Sequence, residues 1–375
     1  MKDRSYILLT PGPLTTSGTV REAMLRDWCT WDDDYNSLVQ DLRARLLAIA
    51  GRYTAGYTAV LMQGSGSFVV ESVIGSAVPR DGKLLVVSNG AYGDRMETMA
   101  HMLGIDLLKY RTDDTQTPDP QQIANLLAGD PAITHVAAVH VETTTGILNP
   151  VAGIAAAVKG AGKVLILDSM SGFGGVSMDV PALEADFVVS SANKCIQGTP
   201  GFGFVIARIS ELEKSRGRAR SHALDLYDQW CSMEKGHGKW RFTSPTHIVH
   251  AFYQALLELE QEGGVAAREK RYRENHRILK DGMRKLGFAT VIPEPLQSHI
   301  ITSFYPPQAD GYDFRRFYRN LKDRGFVIYP GKLTAAETFR IGNIGDIFPD
   351  DMRRLLVAVE ASMDWNRPSV QTRRP

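Results

Sequence analysis

Short β-branched runs alternate with helix-like segments through most of the chain, and this alternation constrains the fold more than any other feature. Residues 58–61, 83–88, 106–110, 135–140, 164–168, 187–190 and 204–207 read as strands, while 120–127 and 154–158 between them read as helices. Strands separated by helices cannot pair through tight hairpins; they cross over into a mostly parallel sheet covered by helices. Reactive groups in such sheets gather beyond the carboxyl ends of the strands. The strand ends are therefore the places to search for chemistry.

Two of those ends carry ionisable residues. Val164-Leu165-Ile166-Leu167 ends in Asp168, and Phe187-Val188-Val189-Ser190-Ser191-Ala192-Asn193 runs into Lys194. A lysine just past a buried strand loses hydration, which disfavours its ammonium form and frees the amine to condense with a carbonyl. A third strand end, Gln63-Gly64-Ser65-Gly66-Ser67, precedes a helix-like run from Phe68. Its glycines let backbone N–H groups approach an anion at a helix N-terminus, with Ser65 and Ser67 adding hydroxyl donors. It lacks both the Gly-Lys-Ser/Thr ending of a nucleotide loop and the dinucleotide fingerprint. Each feature alone has a plain alternative: a solvated loop aspartate or lysine, or an ordinary Gly-Ser turn. Together they point to pyridoxal 5'-phosphate, with Lys194 as the Schiff-base lysine and Asp168 keeping the pyridine nitrogen protonated.

Longer strings widen this reading. Leu9-Thr10-Pro11-Gly12-Pro13-Leu14, Gln63-Gly64-Ser65-Gly66-Ser67, Ser88-Asn89-Gly90-Ala91-Tyr92-Gly93, His140-Val141-Glu142-Thr143-Thr144-Thr145-Gly146, Ser190-Ser191-Ala192-Asn193-Lys194-Cys195 and Phe339-Arg340-Ile341-Gly342-Asn343 resemble the class V aminotransferases of the fold-type I pyridoxal phosphate family. Cys29-Thr30-Trp31-Asp32-Asp33-Asp34-Tyr35 and the segment 238–246 are similar to the branch that moves an amino group from 2-aminoethylphosphonate to pyruvate. The resemblance implies an α/β fold with a mostly parallel seven-stranded sheet in a large domain and a smaller C-terminal α/β domain. It also implies that Tyr92 stacks on the cofactor ring, with Met170 against the other face. Thr145 would meet the phenolic oxygen. Ser65, Gly66, Ser67, Asn193 and Thr243 would hold the phosphate, Thr243 reaching in from the second subunit of a homodimer. Arg340 would grip a substrate carboxylate with two parallel hydrogen bonds. Plain alternatives stand beside these: a turn for Tyr92, core packing for Met170, an interdomain salt bridge for Arg340, and a register open by one among the three threonines.

Sibling readings are an alanine- or serine–glyoxylate aminotransferase and a cysteine desulfurase. The desulfurase needs a cysteine well downstream of the lysine, and none follows Cys231. A silent scaffold has no need to keep Lys194, Asp168, the anion loop and Arg340 together. Arg241 and the polar N-terminal segment are candidates for a phosphonate, although no spacing rule selects between them.

Composition bounds the rest. Net charge is +1, from 43 basic and 42 acidic residues, so no global field favours nucleic acid or an anionic membrane. Three cysteines, at 29, 195 and 231, are too scattered for a disulfide framework or a zinc cluster, and His247 and His250 lack a third ligand, so no metal is expected. No signal core or membrane-length apolar run occurs, and a cytoplasmic location is expected. Gly263-Gly264 breaks a helix, which divides the chain into 16–262 and 263–366, with 1–15 packing near the smaller domain and the active site. Strands at 300–305 and 326–329 and helices at 313–324 and about 350–363 are expected in the smaller domain. The polar tail 367–375 is expected to be poorly ordered.

Overall fold

The computed structural model describes residues 6–333 and 337–366; the tail reading for 367–375 lies outside the described residues. Seven strands form the main sheet: β1 Tyr57–Gln63, β2 Lys83–Ser88, β3 Asp106–Arg111, β4 Ile133–Val139, β5 Val164–Asp168, β6 Phe187–Ser191 and β7 Phe202–Arg208. Their spatial order is β1-β7-β6-β5-β4-β2-β3, all parallel except β7, which runs antiparallel to both neighbours. Residues of β5, β6 and β7 are almost wholly buried, as expected of strands covered on both faces.

Helices supply that cover: α1 Asp33–Ala50, α2 Gly66–Ala77, α3 Ala91–Met102, α4 Pro120–Gly129, α5 Val151–Gly160 and α6 Thr246–Glu262. The large core runs from Val20 to Leu259. Gly263 ends α6 at φ 107°, a left-handed conformation that suits glycine, and α7 Gly264–Lys285 leads onward. The charges of α7 do not all face solvent. Arg268 is 2% exposed and donates to the carbonyl of Cys195 at 2.8 Å, and the Tyr272 hydroxyl donates to the same oxygen at 3.1 Å. The connecting helix thus fixes the backbone one residue past Lys194.

The smaller core gathers Phe288, Phe304, Phe317, Phe339 and Met352 with Ile7 and Leu9 of the N-terminal segment. It is built on β8 Ile301–Phe304, β9 Phe326–Val327, β10 Tyr329–Pro330 and β11 Phe339–Gly342, with α8 Phe314–Asp323 and α9 Pro349–Ser362. The single strand expected over 326–329 is two pieces. β9 pairs with Ile7–Leu8 and β10 with β11, so the chain changes partner at Ile328, whose side chain is fully buried. A residue fixed in the core at the bend prevents one continuous ladder. β11 lies between β8 and β10 and carries Arg340 opposite Ser303 and Tyr329.

Candidate active site

A cavity of about 210 Å³ opens at the carboxyl ends of β1, β5 and β6. Its lining includes Ser65, Gly66 and Ser67 from the anion loop, Asp168 and Met170 after β5, and Asn193 and Lys194 after β6. The strand-end residues singled out in the sequence therefore meet in space. α2 begins at Gly66 with Ser65 as its N-cap, so the Gly-Ser-Gly-Ser run is the helix start itself. A Cβ at Gly66 would lie 2.4 Å from the Met170 sulfur, so Met170 would have to shift to admit a side chain there.

Lys194 is 8% exposed, and its Nζ donates to the carbonyl of Pro11 at 2.7 Å. The N-terminal segment passes this close because Gly12, at φ 123°, has no Cβ; one would sit 2.8 Å from Lys194 Cδ. Burial holds the Lys194 amine below its usual pKa, aided by the Lys332 charge and opposed by Tyr92, Cys195 and Asp168. Asp168 responds in the mirror sense. Burial pushes its carboxyl up to about 6, against the N–H of Met170, which Oδ1 accepts at 2.8 Å, and the charge of Lys194.

Tyr92 sits in the first turn of α3, not in a free turn, and α3 presents one face to the cavity. Tyr92, Arg95, Met96 and Met99 all line it, at the i, i+3, i+4, i+7 spacing of a helix face. Sequence reasoning misses Arg95 when the segment after Gly90 is weighed as a turn; continuing the helical period from Tyr92 finds it. Its Nη1 donates to Ser67 Oγ at 2.9 Å, and its guanidinium lies 5.0 Å from the Tyr92 ring centroid. The Tyr92 phenol is held below its usual pKa: burial raises it, but the Lys194 charge and a hydrogen bond with Thr143 outweigh burial.

Glu142, fully buried, is a second residue that no sequence signal marks. It accepts from the N–H and hydroxyl of Thr144 at 3.0 and 2.6 Å and from the N–H of Tyr92 at 3.2 Å, tying α3 to the 142–145 loop. These contacts separate the three threonines. Thr143 serves Tyr92, Thr144 serves Glu142, and Thr145 is fully buried with an Oγ1 that has no partner among the described residues. Thr145 does not line the cavity, and neither does Thr243, which is exposed and receives Gln63 Nε2 on its carbonyl.

Arg340, in the smaller domain and 2% exposed, is likewise not among the residues lining the cavity. Its Nε donates to the carbonyl of Pro330 at 3.0 Å and its Nη1 to that of Thr143 at 2.8 Å, so it joins the domains through carbonyls. Among the described residues no carboxylate pairs with it. A bidentate anion would have to engage the Nη1/Nη2 end of the fork, since Nε is occupied. Arg241, a candidate from the sequence, is turned toward His222 and Asp228. No helix among the described residues is long and apolar enough to cross a membrane.

The chain is similar to known proteins along most of its length. Residues 57–342 match the family model described as aminotransferase class-V. The chain is 61% identical over 361 residues to the 2-aminoethylphosphonate–pyruvate transaminase of Syntrophobacter fumaroxidans, covering 96% of this chain and 97% of that one. It is 59% identical to the same-named protein of Vibrio cholerae over 364 residues, 97% and 99% of the two chains. The fold is similar to the solved pyridoxamine–pyruvate aminotransferase of Mesorhizobium loti, with a TM-score of 0.87 at 23% identity over 96% and 93% of the chains.

Proposed function

The chain belongs to the class-V aminotransferase family, and on that premise we propose that it transfers the amino group of 2-aminoethylphosphonate to pyruvate, giving phosphonoacetaldehyde and L-alanine. The observation that carries this reading is the identity of 61% to a transaminase of that name over nearly the whole chain, joined to a cavity that unites a buried lysine and a buried aspartate.

We read pyridoxal phosphate as the cofactor. The residues present fit it on two counts: Lys194 is buried in the cavity and shifted toward its free amine, and Ser65, Gly66 and Ser67 line the same cavity at the N-terminus of α2, where backbone N–H groups suit a phosphate. Ser65, Gly66, Ser67 and Asn193 would hold its phosphate, Tyr92 and Met170 its ring, Thr145 its phenolic oxygen and Asp168 its ring nitrogen. Thr243 faces outward in a single chain, so as a phosphate ligand it serves the cavity of a second copy, which makes the working unit a homodimer. When bound, the cofactor supplies an electron sink for the carbanion left when a proton departs the substrate carbon.

The chain's own residues do the rest. Lys194 has the lowered proton affinity needed to take a proton from carbon and return it. Asp168 keeps a negative charge in a dry site, where it favours a protonated ring nitrogen opposite it. Arg340 remains charged and binds the substrate's anionic end, which sets the amine toward Lys194. The N-terminal segment over Gly12 excludes water from Lys194.

The test is direct: the purified protein, supplied with cofactor, is given 2-aminoethylphosphonate and pyruvate, and alanine is measured. A protein that aminates glyoxylate from alanine or serine but ignores the aminophosphonate would transfer the assignment to the glyoxylate branch.

A further inference from the structure

The donor in the reading above carries a phosphonate, which near neutrality holds between one and two negative charges, much as a phosphate monoester does. The acceptor carries a carboxylate with one. A lone guanidinium matches the second anion better than the first, and Arg340 has already given Nε and one Nη1 proton to carbonyls. A further cation is available beside it. Lys332 follows β10, the strand that flanks Arg340, and its Nζ lies 4.9 Å from the ring centroid of Tyr92. Tyr92 feels the charge of both Lys332 and Arg340, and Arg340 also donates to the carbonyl of the neighbouring Thr143, so the two cations flank one ring.

Lys332 is exposed, and among the described residues no carboxylate pairs with it. The other cation against the ring, Arg95, is turned to Ser67 on the side of the anion loop. Lys332 is thus an exposed ammonium beside Tyr92, which lines the cavity, and such a charge attracts an anion.

Resting on the functional reading above, we propose that Lys332 supplies the second positive charge of the phosphonate subsite and thereby sets the preference for an aminophosphonate donor. A carboxylate substrate is held by Arg340, whereas a phosphonate uses its additional oxygen and charge on Lys332.

The experiment uses the cofactor-loaded enzyme and measures each half-reaction separately, with 2-aminoethylphosphonate and with alanine, for wild type, Lys332→Met and Lys332→Arg. Losing a charge-assisted contact lowers the ratio of second-order rate constants, phosphonate over alanine, roughly tenfold to a hundredfold in Lys332→Met, chiefly through KM. Lys332→Arg restores most of that ratio. Binding is read without turnover from the dissociation constant of ethylphosphonate, which weakens in Lys332→Met more than that of propionate. An unchanged ratio, or equal losses in both half-reactions, overturns the assignment. A wild-type enzyme inactive with the aminophosphonate overturns the functional reading itself, and wild-type activity with an unchanged ratio overturns only the role of Lys332.

Discussion

The floor of the cavity and the small-domain wall that flanks it, whose Arg340 lies outside the cavity lining, both bury charge, with different outcomes. On the floor, Asp168 and Lys194 are moved toward neutrality, the acid up to about 6 and the amine downward, with burial the largest cause in each. On the wall, burial lowers the pKa of Arg340 as well, but a guanidinium starts so far above neutrality that it stays a cation, with two carbonyls accepting from it. Groups whose proton affinity is altered suit proton transfer, whereas a fixed, planar charge suits recognition. On the function proposed above, the difference gives the chemistry to the floor and substrate selection to the wall.

The sharpest way to break this division is Lys194→Ala. We expect a loss of roughly a thousandfold or more in turnover, since both the attachment point and the proton carrier disappear. Borohydride reduction should fix cofactor to Lys194 in wild type and to no lysine in the variant; cofactor found on another lysine of the wild-type chain would remove Lys194 from the floor's chemistry.

Asp168→Asn should come next, with a loss of roughly a hundredfold while the fold persists. The same variant tests the cost of burying the acid in the cofactor-free protein. A carboxyl raised from its ordinary value to about 6 binds its proton more tightly when folded. Its penalty is therefore absent below about pH 4, grows as pH rises, and is complete above about pH 6, where it reaches about 3 kcal/mol at most. Denaturant melts should show Asp168→Asn gaining stability over wild type as pH rises through that window. A difference flat with pH would contradict the raised proton affinity.

On the wall, Arg340→Lys should cost about 1.5–3 kcal/mol in the alanine half-reaction, because an ammonium cannot reproduce the fork. Single-turnover rates would measure this, and an undiminished rate with alanine would reduce Arg340 to a tie between domains.

The smallest effect is expected between the two regions, at Thr145. Thr145→Val removes a buried hydroxyl without a partner, which should stabilise the cofactor-free protein by about 1 kcal/mol and weaken cofactor binding severalfold. Opposite signs in thermal melts and cofactor titration would place Thr145 on the cofactor. Unchanged affinity would leave it a packing residue.

Much of the floor is legible in the chain because it is local. A β-branched run determines a buried strand, and the residue that follows it emerges at the strand's carboxyl end, so Asp168, Lys194 and the loop at Gly64 declare themselves by position. The convergence of those three ends is a consequence of the parallel sheet. The face of α3 is only half legible: Tyr92 stands out, whereas Arg95, Met96 and Met99 stay hidden when its start is read as a turn.

What the sequence by itself determined is therefore the seven strands of the main sheet, the residues at their ends and the family. Only the tertiary structure decided which threonine of the three lacks a partner, that Arg340 spends two of its donors on carbonyls, that Glu142 anchors α3, and that Lys332 reaches Tyr92. These are contacts between segments far apart in the chain. Periodicity records which face of an element is apolar, but the partner a polar group finds across a domain boundary depends on how two separately packed cores come together.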